Sequence, residues 1–273
     1  MRSFEGPFDL PVSFSDSFYD LKLGPWTIYE RADGAHVLHA TLGTEIILDA
    51  VLETGKPFVQ NGDAGNGISR KSSGASAHFS FTRMPLTGTI NDGGVTNEFT
   101  GSAWMDREYG TFQQSDWDWF SIQFDNGTEL MIYGYRPKMG ELSGSATGTF
   151  VDTEGNSIYL KRDEFVIDVL STWTSPHTGA EYPAMWKVAV PTLGLELTIR
   201  PFLTDQELDT RGSTMVIYWE GACEVTGTRD GREISGKAYV ELVGYDRSNE
   251  TAGITEFLFG DPIKKLTRFI DQI

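Results

Sequence analysis

Cysteine is almost missing from this chain: Cys223 is the only one in 273 residues. One thiol excludes an intramolecular disulfide and a thiolate zinc cluster. Within Tyr218-Trp-Glu-Gly-Ala-Cys-Glu-Val225 it reads as a small apolar residue of a strand. Positive charge is scarce too, with 22 Lys and Arg against 39 Asp and Glu and a net charge of −17. Nucleic acids and anionic membranes both require a basic surface, so neither is an expected partner. No apolar run is long enough to span a bilayer, which argues against membrane insertion. The start, Met1-Arg-Ser-Phe-Glu-Gly-Pro-Phe-Asp9, has no apolar centre of a secretory signal. The expectation is a soluble, untargeted chain, cytoplasmic as it stands, and the sequons at Asn126 and Asn249 then count as chance matches.

No Gly-rich phosphate loop leads a strand into a helix, and no zinc-ligand spacing occurs, so nucleotide and zinc enzymes recede. No metal and no organic cofactor is expected. Histidine is sparse as well. His36 and His39 fall on opposite faces of a probable strand, a poor arrangement for a shared metal, and His177 sits in a loop. His78 alternates with Phe79 and Phe81 and is the one histidine with a pocket-facing pattern.

What the chain does have is period-2 alternation punctuated by turns. Residues 44–52, 76–83, 86–90 and 96–104 read as strands, the last two joined at Asn91-Asp-Gly-Gly94. Residues 117–124 and 129–135 flank Asp125-Asn-Gly127, the strongest hairpin signal. Further pairs are 147–151 with 157–161, 185–190 with 195–200, and 215–227 with 233–243. Only 261–273 has helical spacing, with Pro262 placed for a first turn. The Gly-rich stretch Gln60–Lys71 suits a loop or lid at a barrel mouth. Short strands at regular spacing predict an all-β, antiparallel fold. Two tandem β-barrels with a short C-terminal helix fit the length, divided into 1–137 and 138–273 near Pro137-Lys-Met-Gly140.

Chemistry concentrates in Gly101-Ser-Ala-Trp-Met-Asp-Arg-Glu-Tyr-Gly110 and Trp117-Asp-Trp-Phe120. On a strand Trp104, Asp106 and Glu108 share one face, while Met105, Arg107 and Tyr109 share the other. Carboxylates two residues apart stand roughly 6.5–7 Å apart, a spacing that suits an acid and a base around a small reacting group. Any Asp-x-Glu strand gives that spacing, and Asp116 and Asp118 form a second such pair with Trp117 and Trp119 opposite. Tyr133 and Tyr135 share a face, with Arg136 beyond them. Aromatic crowding raises a carboxylate's pKa and leaves it a proton to donate near neutrality. The reading that the residues alone favour makes Arg107 with Asp106, Glu108 or Asp118 a buried ion pair closing one end of a barrel, with the tryptophans as core.

These residues resemble the lipocalin-like superfamily that holds the AttH-type "predicted secreted hydrolases", the carotenoid 1,2-hydratases (CrtC-like) and the fungal decalin-forming Diels–Alderases. The matching runs include Gly65-Asn-Gly-Ile-Ser-Arg-Lys71, Phe79-Ser-Phe-Thr-Arg-Met84 and Trp104-Met-Asp-Arg-Glu-Tyr-Gly110. Trp117-Asp-Trp-Phe120 and Gly236-Lys-Ala-Tyr-Val-Glu-Leu-Val-Gly-Tyr245 complete them, so the resemblance covers about residues 40–245. It implies two lipocalin-like barrels and a pocket for isoprenoid- or polyketide-like molecules. The hydratase branch reads Asp-His-Asn-Trp-Gly where Asp106-Arg-Glu-Tyr-Gly110 stands, and its Tyr-x-Asp aligns with Tyr133-Gly-Tyr135. The histidine and aspartate expected for carotenoid hydration are therefore replaced. The family's Trp-Trp-Tyr strand is also missing ahead of the matching region, and the open edge this implies makes a homodimer one of the expectations.

The leading expectation is an enzyme that promotes cyclisation, isomerisation or hydration of a hydrophobic small molecule. Asp106, Glu108, Tyr133 and Tyr135 are the candidate acid–base groups. Arg107 would anchor charge, and Trp104, Tyr109, Trp117, Trp119 and His78 would line the pocket. Tyr239 and Glu241, same-face neighbours on a later strand, are weaker candidates. A non-catalytic carrier of a hydrophobic ligand is the alternative, and a hydrolase comes third because no nucleophile with a base can be named.

Overall fold

The computed structural model describes residues 20–62, 65–71, 74–111, 116–136, 142–211 and 216–246. Among them the chain forms two curled antiparallel sheets of eight and ten strands, the lipocalin-like all-β architecture. The first contains β1 (Asp20–Leu23), β2 (Trp26–Glu30), β3 (His36–Leu42), β4 (Ile46–Leu52), β5 (Val59–Gln60), β6 (Ile68–Lys71), β7 (Gly74–Asp92) and β8 (Val95–Thr111). The second contains β9 (Trp117–Phe124), β10 (Glu129–Tyr135), β11 (Thr147–Val151), β12 (Ser157–Leu160), β13 (Val166–Thr174), β14 (Glu181–Val190), β15 (Leu195–Pro201), β16 (Glu207–Asp209), β17 (Ile217–Arg229) and β18 (Arg232–Val243). The helix expected over 261–273 lies outside the described residues.

The break between sheets falls between Thr111 and Trp117, upstream of the join expected near Pro137. Backbone pairing decides this: β9 pairs with β18, and β10 with β9 and β11, so the Asn126-Gly127 hairpin belongs to the second sheet. The loop expected over Gln60–Lys71 is also partly strand. Gly62 and Gly67 take φ of +86° and +77° and turn the chain, while β5 and β6 both pair with β7.

The second sheet curls around its own core. Phe120, Ile122, Phe124, Leu130, Ile132, Trp186, Trp219, Val225 and Val240 are all buried there, and Cys223 is among them as a plain packing residue. Burial pushes the Cys223 thiol up to about 12, leaving it a neutral group. Alternation along β9, β10 and β18 sends Trp117, Trp119, Tyr133, Tyr135, Tyr239 and Glu241 to the outer face. That face packs against β7 and β8 of the first sheet.

The joint between the sheets is polar and buried. Glu129, 0% exposed, accepts from Lys56 Nζ at 2.7 Å and Arg83 Nε at 2.5 Å. Lys56 also donates to the carbonyls of Gly127 and Asp152, each at 2.6 Å. Arg83 reaches the Phe124 carbonyl at 2.8 Å, and Gln123 Nε2 donates to the carbonyls of Thr82 and Ala103. Charged hydrogen bonds that satisfy every oxygen of a buried carboxylate are what make such a site tolerable.

Candidate functional site

A long hairpin builds one wall. In the β7–β8 register His78 lies opposite Glu108 and Ser80 opposite Asp106. A register shift between Phe81 and Met84 swings the strand so that Arg83 also reaches the second sheet. The Asp106 carboxylate accepts from Ser80 Oγ and, at 2.8 Å, from Trp104 Nε1. His78 Nε2 stands 3.4 Å from its second oxygen, and Ser76 Oγ donates to Glu108 at 2.6 Å. Same-face sharing by Trp104, Asp106 and Glu108 is thus what the strand pattern predicts.

Cross-strand neighbours build the facing wall. Thr147, Tyr133, Trp119, Glu241 and Glu220 stand directly opposite one another along β11, β10, β9, β18 and β17. Adjacent strands are about 4.8 Å apart, so Tyr133 and Glu241 lie roughly 10 Å apart in the backbone. Trp117 Nε1 donates to Glu241 at 2.7 Å. Trp104 meets Trp119 edge-on at 6.2 Å, and Tyr133 meets both His78 (6.4 Å) and Tyr135 (5.2 Å) in the same way. The tryptophans therefore belong neither to a barrel interior nor to its core. They fill the contact between the sheets.

Electrostatics single out Glu241. Burial, with the charges of Glu220, Asp106 and Glu108 adding to it, lifts its carboxyl to about 7 despite the Trp117 hydrogen bond. Burial likewise raises Glu220, its cross-strand neighbour. Tyr133 is pushed up by burial and by Glu108 and Glu241, so its hydroxyl stays protonated. Tyr239, on the outer face beside Glu241 and partly exposed, is pushed up to about 12 by burial first and by Glu220 and Glu241 after it.

Two expected members fall elsewhere. Arg107 and Tyr109 lie on the opposite face of β8, Arg107 close enough for its charge to act on His36 and Tyr109 67% exposed. Period-2 alternation forbids them from meeting Asp106 and Glu108 on one face, so Arg107 cannot anchor this cleft. The buried ion pair expected at a barrel end is built from other residues. Asp118 bonds Arg136 Nε at 2.9 Å and Tyr245 at 3.1 Å on the core side of β9. Sequence reading passed over Ser76, Ser80, Asn61 and Glu220. Ser76 and Ser80 could have been found as the residues alternating with His78, whereas Glu220 required the β17–β18 register.

A cavity of about 560 Å³ lies at the Tyr133 end of the facing wall, with Gly62 and Ser69 on one side and Tyr133, Thr147, Tyr159 and Arg162 on the other, whereas Glu241, Asp106, Glu108, Trp104, Trp117 and Trp119 do not line it. That is ample for a small-molecule ligand. Among the described residues no cluster of three His, Cys, Asp or Glu side chains could hold a metal ion. The AttH-like family profile matches residues 11–245. The chain belongs to the AttH-like family. No curated protein matches the chain.

Solved structures share the fold of this AttH-like chain. A crystal structure described as a putative AttH from Nitrosomonas europaea is 34% identical at TM-score 0.73, over 83% of this chain and 70% of that one. Kievitone hydratase from Nectria haematococca is 17% identical at TM-score 0.67, over 83% and 71%. A weaker likeness, outside that comparison of folds, is to CghA solved with Sch210972, 11% identical at TM-score 0.48 over 83% and 70%.

Proposed function

We propose that the cleft between the two sheets is the active site of an acid–base enzyme acting on a hydrophobic, isoprenoid- or polyketide-like small molecule. The reaction is cyclisation, isomerisation or hydration begun by protonation of a double bond. Glu241 carries the reading: it is a carboxyl group titrating at about 7, clamped by Trp117 within a wall of aromatic rings. A group poised near neutrality holds its proton and can still release it, which is the requirement for general-acid catalysis. Tyr133, held protonated, supplies a hydroxyl donor at the cavity wall. Trp104, Trp117 and Trp119 exclude water and offer ring faces to a developing carbocation. Asp106 and Glu108 add negative potential that stabilises the same charge and keeps Glu241 protonated.

The test is turnover of a panel of linear polyprenols and polyene polyketides, followed by mass spectrometry and chromatography. Wild type, Glu241→Gln, Asp106→Asn and Glu108→Gln are compared, with the fold of each checked by circular dichroism. Loss of at least 100-fold in rate is expected for Glu241→Gln, and about tenfold for either of the others. A ligand recovered unchanged from wild type and all variants would make the protein a carrier instead.

A further inference from the structure

The cavity is walled by residues unlike the tryptophans beside it, and strand register explains why. Thr147 stands opposite Tyr133 and Gly148 opposite Leu160, so the next position sets Lys161 opposite Thr147. Tyr159, two residues before Lys161, shares its face. The row that starts at Glu220 and Glu241 and passes Trp119 and Tyr133 thus ends at a lysine. Tyr133 and Lys161 are two strand spacings apart, roughly 10 Å. Beyond β12 the chain makes one 3-10 turn, Arg162–Glu164, in which the Glu164 carboxylate accepts from the Lys161 N–H at 2.8 Å. That turn carries Arg162 to the same cavity. Arg162 Nη1 donates to the Phe165 carbonyl at 3.1 Å, and its guanidinium lies 5.4 Å from the centre of the Phe165 ring. These contacts hold the guanidinium in place and leave most of its N–H groups for other acceptors.

Hydroxyl groups supply the rest of the polar lining: Ser69 from the first sheet, and Tyr133, Ser145, Thr147 and Tyr159 from the second. Among the described residues no aliphatic side chain larger than Ala146 lines the cavity. Small-molecule pockets are mostly apolar with a few polar groups, and here that proportion is reversed. Charge points the same way. Lys161 and Arg162 outnumber the one lining carboxylate, Asp163, and among the described residues neither cation forms a salt bridge. With 39 acidic against 22 basic residues the surface as a whole repels anions, so attraction for one has to come from a local pair such as this.

We infer that this cavity is a binding site for a small organic acid, whose carboxylate is held by Lys161 and Arg162. Arginine offers a carboxylate parallel N–H bonds, and lysine adds a compact point charge. The lining hydroxyls take oxygens further along the ligand, with Tyr133 kept protonated by its burial and so able to donate. Two cations against the one carboxylate of Asp163 balance a single negative charge, whereas a diphosphate keeps charge that nothing here neutralises. In the proposed enzyme the site takes the acidic head of the substrate and leaves its hydrocarbon to Trp104 and Trp119, against which Tyr133 packs. That role rests on the acid–base reading of the cleft. The anion site itself rests on the cavity alone.

Geranic acid, geraniol and geranyl diphosphate share one tail and differ in the head group, and their binding to the full chain is measured by titration calorimetry. The acid is expected to bind at least tenfold tighter than the alcohol, and tighter than the diphosphate. Lys161→Gln and Arg162→Gln should each weaken the acid at least fivefold and leave geraniol unchanged, with the fold checked by circular dichroism. Lys161 is exposed and its ammonium bonds nothing among the described residues, so Lys161→Gln keeps the test open even if Arg162→Gln disturbs the turn. An acid that binds no tighter than geraniol, or equally to wild type and Lys161→Gln, overturns the inference, and a diphosphate that binds tightest overturns the carboxylate. The acid–base reading fails separately. Acid bound with the expected preference but never turned over upholds this site and removes the Glu241 chemistry. Geraniol and geranic acid turned over with equal kcat/KM removes this site and leaves that chemistry standing.

Discussion

At Glu241 three influences compete: burial and neighbouring carboxylates raise the carboxyl, the Trp117 indole lowers it, and the balance lies at about 7. A raised acid stabilises the fold when protonated. Its contribution is fully present below the unfolded value of about 4.5 and is lost as pH rises through about 7. Glu241→Gln should therefore flatten the decline of stability across pH 4.5–7, by on the order of 2–3 kcal/mol, in urea titrations at a series of pH values. Asp106→Asn acts differently, because Asp106 accepts from Ser80 and Trp104. Both bonds go to Oδ1, which asparagine keeps as a weaker neutral acceptor, while its amide nitrogen takes the place of the oxygen facing His78 Nε2, and a loss of about 1–3 kcal/mol is expected by thermal denaturation. The Asp106–Glu108 pair was legible in the sequence because alternation along one strand suffices to place it. Glu220 facing Glu241 was not, since that contact depends on which strands pair and in what register.

Among the elements, the β7–β8 hairpin carries half of the site, and its strands approach closely at one end. A Cβ on Gly110 would meet the Ala75 carbonyl oxygen at 2.3 Å and Ser76 Cα at 2.5 Å. Gly110→Ala should force β8 away from Ser76, loosening the Ser76–Glu108 bond and costing about 1–3 kcal/mol in denaturant titration. The hairpins of the second sheet could be read almost residue by residue, because β15, β17 and β18 alternate between core and a more open face and the Asn126-Gly127 turn marks β9 and β10, which are buried almost throughout. β13 was missed. It is a largely exposed strand with a register irregularity near Leu170, so no alternation marks it. β5 and β6 were hidden by the glycines that turn between them, although one of these, Gly62, lines the cavity.

For the whole molecule, the cleft exists because Lys56, Arg83 and Gln123 tie the outer face of the second sheet to the first. Sequence could supply the all-β class and the family, but not this joint. Lys56 and Glu129 are 73 residues apart and fall in no pattern. Lys56→Met would leave Glu129 with Arg83 as its one charged partner beside the Thr82 hydroxyl and free the carbonyls of Gly127 and Asp152. A loss of about 3 kcal/mol is expected in urea denaturation, with a smaller loss for Lys56→Met combined with Glu129→Gln. The central claim is that this joint frames an acid-driven active site at Glu241. Its most direct measurement is the pH dependence of single-turnover product formation in wild type and Glu241→Gln. The account predicts a wild-type rate that is level below pH 7 and falls tenfold per pH unit above it, with no such limb in the variant. Equal rates and identical profiles in the two proteins would contradict it.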